Sequence, residues 1–159
     1  MPQQECKATD QADEKSQLAL KEPTIRRFQD QPGILVVDDD PLVRELLELC
    51  LELNGFQVWL ASNGREAIDR YQQYRKNIDI VLLDVCMPVM NGPQTLAALR
   101  ELDSGVQTCF MSASMGVYEA EELRKRGAGY VFVKPFKVDE LVNILRLLIH
   151  NTQAEIYYV

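Results

Sequence analysis

The sequence predicts a single α/β domain built around a parallel β-sheet. Five short apolar runs alternate with five segments of helical periodicity, and several runs are rich in the β-branched residues typical of strands covered on both faces. A length of 159 residues is enough for one hydrophobic core, and a composition of 47% apolar and 26% charged residues is that of a folded domain. Strand–helix repeats of this kind imply right-handed crossovers with helices on both faces.

The first strand–helix unit begins where a polar stretch ends. Residues 1–32 are rich in Gln, Asp, Glu and Lys and are predicted to form a flexible N-terminal extension. Ile34–Val37 is a wholly apolar strand that stops at three consecutive aspartates. Pro41 fits the first position of a helix capped by Asp40, and the helix is predicted to end near Asn54–Gly55.

Four further units repeat this pattern. The predicted strands are Phe56–Ala61, Asp79–Leu83, Val106–Met111 and Gly129–Val133, and the predicted helices are Asn63–Tyr74, Thr95–Leu102, Glu119–Arg126 and Lys137–Ile149. The domain is therefore predicted to span residues 33–150, followed by a short C-terminal tail at 151–159. The last helix carries apolar residues on more than one face, which indicates a target-protein or homodimer surface at the last two strand–helix units.

Polar side chains follow four of the predicted strands, at the point where each strand ends. Asp38 and Asp39 follow the first strand, Asp84 the third, Ser112 the fourth and Lys134 the fifth. Ligand sites of parallel sheets lie beyond the carboxyl ends of the strands, at the switch point in strand order. We therefore expect these five side chains to form one site.

Three carboxylates at one edge of the sheet predict a bound cation. Two unit charges about 4 Å apart repel by about 4 kcal/mol at an effective dielectric of 20. Carboxylate oxygens without histidine or cysteine ligands favour Mg²⁺. We expect Asp39, Asp84 and the backbone carbonyl of Cys86 to be direct metal ligands, with Asp38 acting through a water molecule.

The same group of residues is suited to accept a phosphoryl group, because catalysis of that transfer is mostly positioning and neutralisation of charge. Asp84 is the candidate nucleophile. Lys134 and Mg²⁺ are expected to neutralise the phosphoryl oxygens, and the hydroxyl of Ser112 to donate a hydrogen bond to one of them.

The motifs at these strand ends resemble those of the receiver domains of two-component response regulators, from Ile34 to about Ile149. The motifs that carry the resemblance are Leu35–Asp40 (LVVDDD), Leu83–Pro88 (LDVCMP) with Asn91–Gly92, Met111–Ala113 (MSA) and Val133–Phe136 (VKPF). The resemblance implies a flavodoxin-like (βα)5 fold with strand order 2-1-3-4-5 and a cis peptide before Pro135. It also implies transfer of a phosphoryl group to Asp84 from a sensor histidine kinase or a histidine phosphotransfer protein. A receiver promotes its own phosphorylation and dephosphorylation but is not a turnover enzyme.

The sequence departs from the family pattern at two places. Three residues before Lys134, where receivers carry an aromatic residue, stands Val131, so we expect only a small conformational change on phosphorylation. Cys86 and Ser114 occupy the positions that line the path of attacking water, and neither carries a carboxylate or an amide. We therefore expect self-dephosphorylation at a moderate rate.

Composition disfavours several other classes of protein. A net charge of −7 makes nucleic acid an improbable partner, and no stretch approaches the ~20 apolar residues of a membrane span. The scattered cysteines favour a reduced, cytoplasmic protein over a zinc site or a disulfide framework. The chain ends ten residues after the last predicted helix, and its only histidine, His150, directly follows that helix. We therefore expect no DNA-binding output domain, and a phosphodonor that is another molecule.

Two alternative functions remain open at this point. A degenerate receiver would act as a binding module independent of phosphorylation. An aspartate-nucleophile phosphatase would resemble a DxDxT arrangement after the first strand, and here no threonine follows Asp38, Asp39 and Asp40.

Overall fold

The structure is a computed structural model that describes residues 31–113 and 117–156. Most of the predicted N-terminal extension, Ser114 and the last three residues lie outside these ranges. The strands are β1 (Gly33–Val37), β2 (Gln57–Ala61), β3 (Ile80–Asp84), β4 (Thr108–Ser112) and β5 (Tyr130–Val133). The helices are α1 (Pro41–Leu53), α2 (Gly64–Tyr74), α3 (Gly92–Leu102), α4 (Val117–Lys125) and α5 (Val138–Ile156). Among the described helices, none has the length and apolar content needed to cross a bilayer.

The five strands form one parallel sheet in the order β2-β1-β3-β4-β5, which confirms the predicted fold. β1 and β3 are neighbours although two helices and a strand separate them in the chain. In the register of the sheet, Val37 pairs with Leu83, Asp84 with Met111, and Ser112 with Val133. The carboxyl ends of β1, β3, β4 and β5 therefore lie side by side at one edge of the sheet.

Two apolar layers cover the sheet, one on each face. The α1/α5 layer includes Leu47 and Leu51 of α1 together with Leu141 and Leu145 of α5. The opposite layer is formed by α2, α3 and α4. Every residue of β1, β3 and β4 is buried, as the wholly apolar strands predicted.

Side-chain caps fix where three of the helices begin. Asp40 accepts a hydrogen bond from the backbone N–H of Leu42 at 2.9 Å, which confirms its predicted role as the cap of α1. Asn63 caps α2, and Asn91 forms a capping box with Gln94 at the start of α3. This box places the start of α3 three residues before the predicted one.

The last helix is longer than predicted. α5 continues to Ile156, so the predicted helix end at Ile149 was wrong and His150 lies within the helix. The predicted boundary between the domain and the tail at 151–159 falls inside this helix. No glycine or proline follows Pro135 in the sequence, and the hydroxyl of Thr152 donates to the carbonyl four residues earlier at 2.9 Å, so nothing interrupts the helix there.

Most of the apolar surface of α5 is covered by the domain itself. Leu141, Val142, Leu145 and Ile149 are buried against the sheet, and only Leu147 is widely exposed in the middle of the helix. The apolar excess that indicated a partner surface is therefore largely accounted for by the core. A target-protein or homodimer surface at the last two strand–helix units stays a prediction.

Candidate functional site

The ammonium group of Lys134 lies at the centre of the site. Its Nζ donates to Oδ2 of Asp38 at 2.6 Å and to Oδ1 of Asp84 at 2.8 Å, and both aspartates are buried. β5 brings the lysine to this point, because the backbone N–H of Lys134 donates to the carbonyl of Ser112 at 2.7 Å. The structure therefore brings residues from three strand ends into direct contact.

The three aspartates predicted to bind a metal lie together. Carboxylate oxygens of Asp38, Asp39 and Asp84 are all within 4.8 Å of one another, with Asp39 exposed and the other two buried. An all-oxygen set of this kind fits a hard divalent cation such as Mg²⁺. One lysine does not neutralise three carboxylates, so the site keeps a net attraction for a cation.

Backbone donors orient both buried carboxylates. Oδ1 of Asp38 accepts from the N–H of Asp40 at 2.9 Å, and Oδ2 of Asp84 accepts from the N–H of Cys86 at 3.0 Å. Each carboxylate thus has one oxygen fixed by the backbone and the other by Lys134. The role of the Cys86 carbonyl as a metal ligand stays a prediction.

Arg44 is a residue of this region that the sequence reasoning missed. Its Nη1 donates to the backbone carbonyl of Asp38 at 2.7 Å and so ties the first turn of α1 to the end of β1. The only signal for it was a basic residue in the first turn of the helix after the aspartates. A helical arginine in such a place is more commonly solvated, so position alone did not identify the contact.

Gly92 allows α3 to begin directly beside Asp84. A β-carbon at this position would lie 2.5 Å from the carbonyl oxygen of Asp84 and 2.9 Å from the ring of Phe110, distances that no side chain tolerates. The N–H of Gly92 donates to the carbonyl of Val85 at 2.9 Å. The Asn91–Gly92 motif therefore has a structural reason: it starts the helix and removes the clash.

At the site, burial and the hydrogen bonds of Lys134 shift the pKa values of Asp84 and Lys134 in opposite directions. Burial raises the pKa of the Asp84 carboxyl, and the nearby carboxylate of Asp38 raises it further, while the hydrogen bond from Lys134 opposes this. Burial alone would lower the pKa of the Lys134 ammonium, but its hydrogen bonds to Asp38 and Asp84 outweigh burial and the net shift is upward. The lysine is therefore charged, and it stabilises the ionised form of Asp84, which burial disfavours.

The remaining predicted positions surround this centre. Ser112 is buried at the end of β4, on the strand next to the one that carries Asp84. Cys86 is exposed with a free thiol. Val131 is buried in the layer formed by α2, α3 and α4, whereas Phe132 points into the α1/α5 layer. The face of β5 toward α4 thus carries no aromatic side chain, as the sequence indicated.

A groove of about 500 Å³ opens beside the site. Its inner end is lined by Cys86 and Ser112, and its outer walls are helices α3 and α4, with Pro93 and Leu123 on opposite sides. The groove provides a path from the protein surface to the end of β4.

A family model described as the response regulator receiver domain matches residues 34–146 of this chain. The chain belongs to that family. As implied by the family resemblance, this receiver domain has a cis peptide bond between Lys134 and Pro135. It is the receiver domain of a two-component response regulator.

Curated relatives of this receiver domain include transcriptional regulators. The transcriptional regulatory protein PrrA of Mycobacterium leprae is 38% identical over 123 residues, which covers 77% of this chain and 52% of PrrA. The response regulator MprA of Mycolicibacterium vanbaalenii is 39% identical over 122 residues, covering 77% and 52%. The chain therefore spans about half the length of the curated relatives it matches.

Solved structures of chemotaxis proteins share the fold. CheY4 of Vibrio cholerae superposes with a TM-score of 0.69 at 28% identity, covering 74% of this receiver domain and 98% of CheY4. A complex of CheX, CheY, BeF3 and Mg²⁺ from Borrelia burgdorferi matches with a TM-score of 0.70 at 28% identity, covering 74% and 88% of the two chains.

Proposed function

We propose that this receiver domain accepts a phosphoryl group on Asp84 from the phosphohistidine of a histidine kinase or a histidine phosphotransfer protein. The observation that supports this most directly is the position of Lys134. Its ammonium lies 2.8 Å from the carboxylate of Asp84 and 2.6 Å from that of Asp38. A fixed positive charge therefore stands where the oxygens of an incoming phosphoryl group would need neutralisation.

The transfer is an in-line displacement at phosphorus. An oxygen of Asp84 forms the new P–O bond while the P–N bond to the donor imidazole breaks, and the electron pair of that bond stays on the imidazole nitrogen. The environment that disfavours the ionised carboxylate of Asp84 makes it a reactive nucleophile. Lys134 then pairs with a phosphoryl oxygen, and the hydroxyl of Ser112 donates to another.

Asp38, Asp39 and Asp84, together with the carbonyl of Cys86, are the residues proposed to hold Mg²⁺. When bound, the ion supplies positive charge that offsets the repulsion between these carboxylates and a phosphoryl group. The Borrelia CheY complex contains Mg²⁺ and BeF3, which supports the proposal by analogy.

The domain is proposed to act as a stoichiometric phosphoacceptor in the cytoplasm, as a single-domain regulator rather than a turnover enzyme. Output is proposed to occur through altered contacts with a target protein at the last two strand–helix units, without direct contact with nucleic acid or membrane. PrrA is named a transcriptional regulatory protein, and the activity in that name belongs to a protein about one and a half times as long as this chain.

Intact mass spectrometry after incubation with acetyl phosphate and Mg²⁺ tests the proposal. The wild-type chain is expected to gain one phosphoryl group, and Asp84→Asn none. Asp39→Asn and removal of Mg²⁺ by a chelator are each expected to prevent the gain. The matched control is Asp103→Asn, which alters an aspartate next to the carboxyl end of α3, away from the site.

Three results would reject the proposal. Retention of the added mass in Asp84→Asn would place the phosphoryl group elsewhere. No added mass in any variant, combined with the absence of Mg²⁺ binding by calorimetry, would favour the degenerate receiver that binds partners without phosphorylation. Turnover of an organic phosphate well above one equivalent would instead favour a phosphatase.

A further inference from the structure

Helix α1 exposes a row of leucines along its outer side. These side chains are 57–78% exposed and follow one another at spacings of four, three and four residues: Leu42, Leu46, Leu49 and Leu53. The spacing places them on a single stripe, about 17 Å long. Leu47 and Leu51 of the same helix are buried against the sheet, so the row is additional to the core-facing side. Among the described residues, no other helix exposes more than two large apolar side chains.

An acidic border runs beside this leucine row. Glu45, Glu48 and Glu52 are three and four residues apart and therefore lie on one adjacent line of the helix. None of them has an ion-pair partner within the part of the chain that the structure describes. The surface thus fits an occupant that combines apolar side chains with positive charge.

The segment of this chain that precedes β1 has this complementary chemistry. Residues 18–28 (LALKEPTIRRF) contain three cations and one anion. Their large apolar residues are Leu18, Leu20, Ile25 and Phe28. A second copy of the chain docked through the same row would bring glutamates close to glutamates, which is unfavourable. Charge therefore favours residues 18–28 over a copy of α1.

The chain enters the fold beside one end of the leucine row. The carbonyl of Pro32 accepts a hydrogen bond from the N–H of Gln57 at 2.9 Å, and Gln57 is only four residues beyond Leu53. The five-residue step from Phe28 to Gly33 spans up to about 17 Å of extended chain. A tether this short gives an effective concentration in the millimolar range, so weak intrinsic binding is sufficient.

We propose that residues 18–28 bind along α1, with their apolar side chains on the leucine row and their cations facing Glu45, Glu48 and Glu52. Residues 18–28 and any partner that binds this side of α1 would then compete for the leucine row. This inference does not rest on phosphotransfer at Asp84, and its test uses no phosphodonor.

Photo-cross-linking in the full chain tests the contact directly. A photoreactive amino acid replaces Leu46 or, in a second variant, Leu49, and the monomeric protein is irradiated and mapped by mass spectrometry. Cross-links to residues 18–28 of the same chain are expected from both positions. The matched control carries the same group at Leu147, a leucine of α5 that is 62% exposed, and is expected to give none.

A charge exchange tests the proposed complementarity. Arg26→Glu with Arg27→Glu is expected to lower the cross-link yield about tenfold, because two attractions become repulsions at the end of a tether. Adding Glu45→Lys and Glu48→Lys to that chain is expected to restore the yield. Circular dichroism of each variant verifies the fold, which these surface changes leave intact.

Three outcomes would overturn the inference. The first is the absence of cross-links to residues 18–28 from both α1 positions. The second is a predominance of cross-links that join two chains, which would assign the leucine row to self-association. The third is a yield that does not change on reversal of Arg26 and Arg27.

Discussion

Two ion pairs in this receiver domain have nearly the same length in different surroundings. Lys134 Nζ lies 2.6 Å from Asp38, and Arg126 Nη2 lies 2.7 Å from Glu122 on α4. The carboxylate side chain is 2% exposed in the first pair and 56% in the second. A buried charge without its partner is costly, whereas water replaces the partner of an exposed one. The distance between the charged atoms alone therefore does not show how much an ion pair contributes to stability.

The buried pair also belongs to the candidate site, whereas the exposed pair does not. At the site, burial acts against the ionised form of Asp84, and Lys134 holds two carboxylates in place. These charges are the ones proposed to bind a metal and a phosphoryl group, a role in which a cost in stability is expected. The exposed pairs of α4 are local i, i+4 contacts on one helix.

The largest effect is expected from Lys134→Met. The substitution leaves Asp38 and Asp84 buried without their shared cation, and the free energy of unfolding should fall by about 3 kcal/mol at pH 7 without Mg²⁺. Urea denaturation measures the change. Lys125→Met, which removes an exposed pair with Glu121, is the control. Equal small losses in the two variants would break the distinction between buried and exposed pairs.

Asp84→Asn is expected to raise the free energy of unfolding, whereas Lys134→Met lowers it. Because the folded-state pKa of Asp84 is raised, its protonated form is favoured in the fold, and stability is lost as the pH rises through that pKa. A neutral amide removes this loss, so the variant should be about 1 kcal/mol more stable at pH 7 without Mg²⁺. This difference in stability between the variant and the wild type should vanish in acid. Asp69→Asn, an exposed change on α2, should be neutral, and a destabilised Asp84→Asn would contradict the argument.

A smaller effect on stability, with the opposite pH dependence, is expected for a substitution of Glu66. The N–H of Ser62 donates to this carboxylate at 2.8 Å and lowers its pKa below the ordinary value of 4.5. Its contribution is present above pH 4.5 and is lost as the pH falls through the lower folded-state pKa. Glu66→Gln should therefore cost about 0.5 kcal/mol at neutral pH, reduced by solvent screening, and nothing near pH 2. Thermal unfolding across this pH range measures it, and a cost that persists unchanged in acid would contradict it.

The smallest effect is expected at the exposed pair itself. Arg126→Gln removes the 2.7 Å contact with Glu122, yet the free energy of unfolding should change by no more than about 0.3 kcal/mol. High salt should abolish even that difference in urea denaturation. A loss above 1 kcal/mol would show that length does matter for exposed pairs in this domain.

The sequence predicted the fold and the composition of the site because both depend on strand ends. Each buried strand was visible as an apolar run, and the polar residue after it marked the edge where the strands meet. The contact between Lys134, Asp38 and Asp84 follows from that topology. Their roles in metal binding and phosphotransfer stay predictions.

The sequence did not predict features that depend on how helices pack. The apolar residues of α5 suggested an exposed surface, but Leu141, Leu145 and Ile149 are buried, while α1 exposes the leucine row instead. Periodicity shows that a helix has apolar faces but not how much of each face a neighbour covers. The end of α5 was missed because no residue marks it, and Arg44 because its partner is a backbone carbonyl.

The separation of 96 positions between Asp38 and Lys134 has a consequence for synthesis on the ribosome. The chain emerges from its N-terminus, so all three aspartates leave the ribosome before the cation that joins two of them. A nascent chain that ends before β5 lacks Lys134, so nothing offsets the repulsion between Asp38 and Asp84 in it. Under the proposed function, Asp84 would therefore have its full set of partners only once the last strand, with Lys134 after it, has been made.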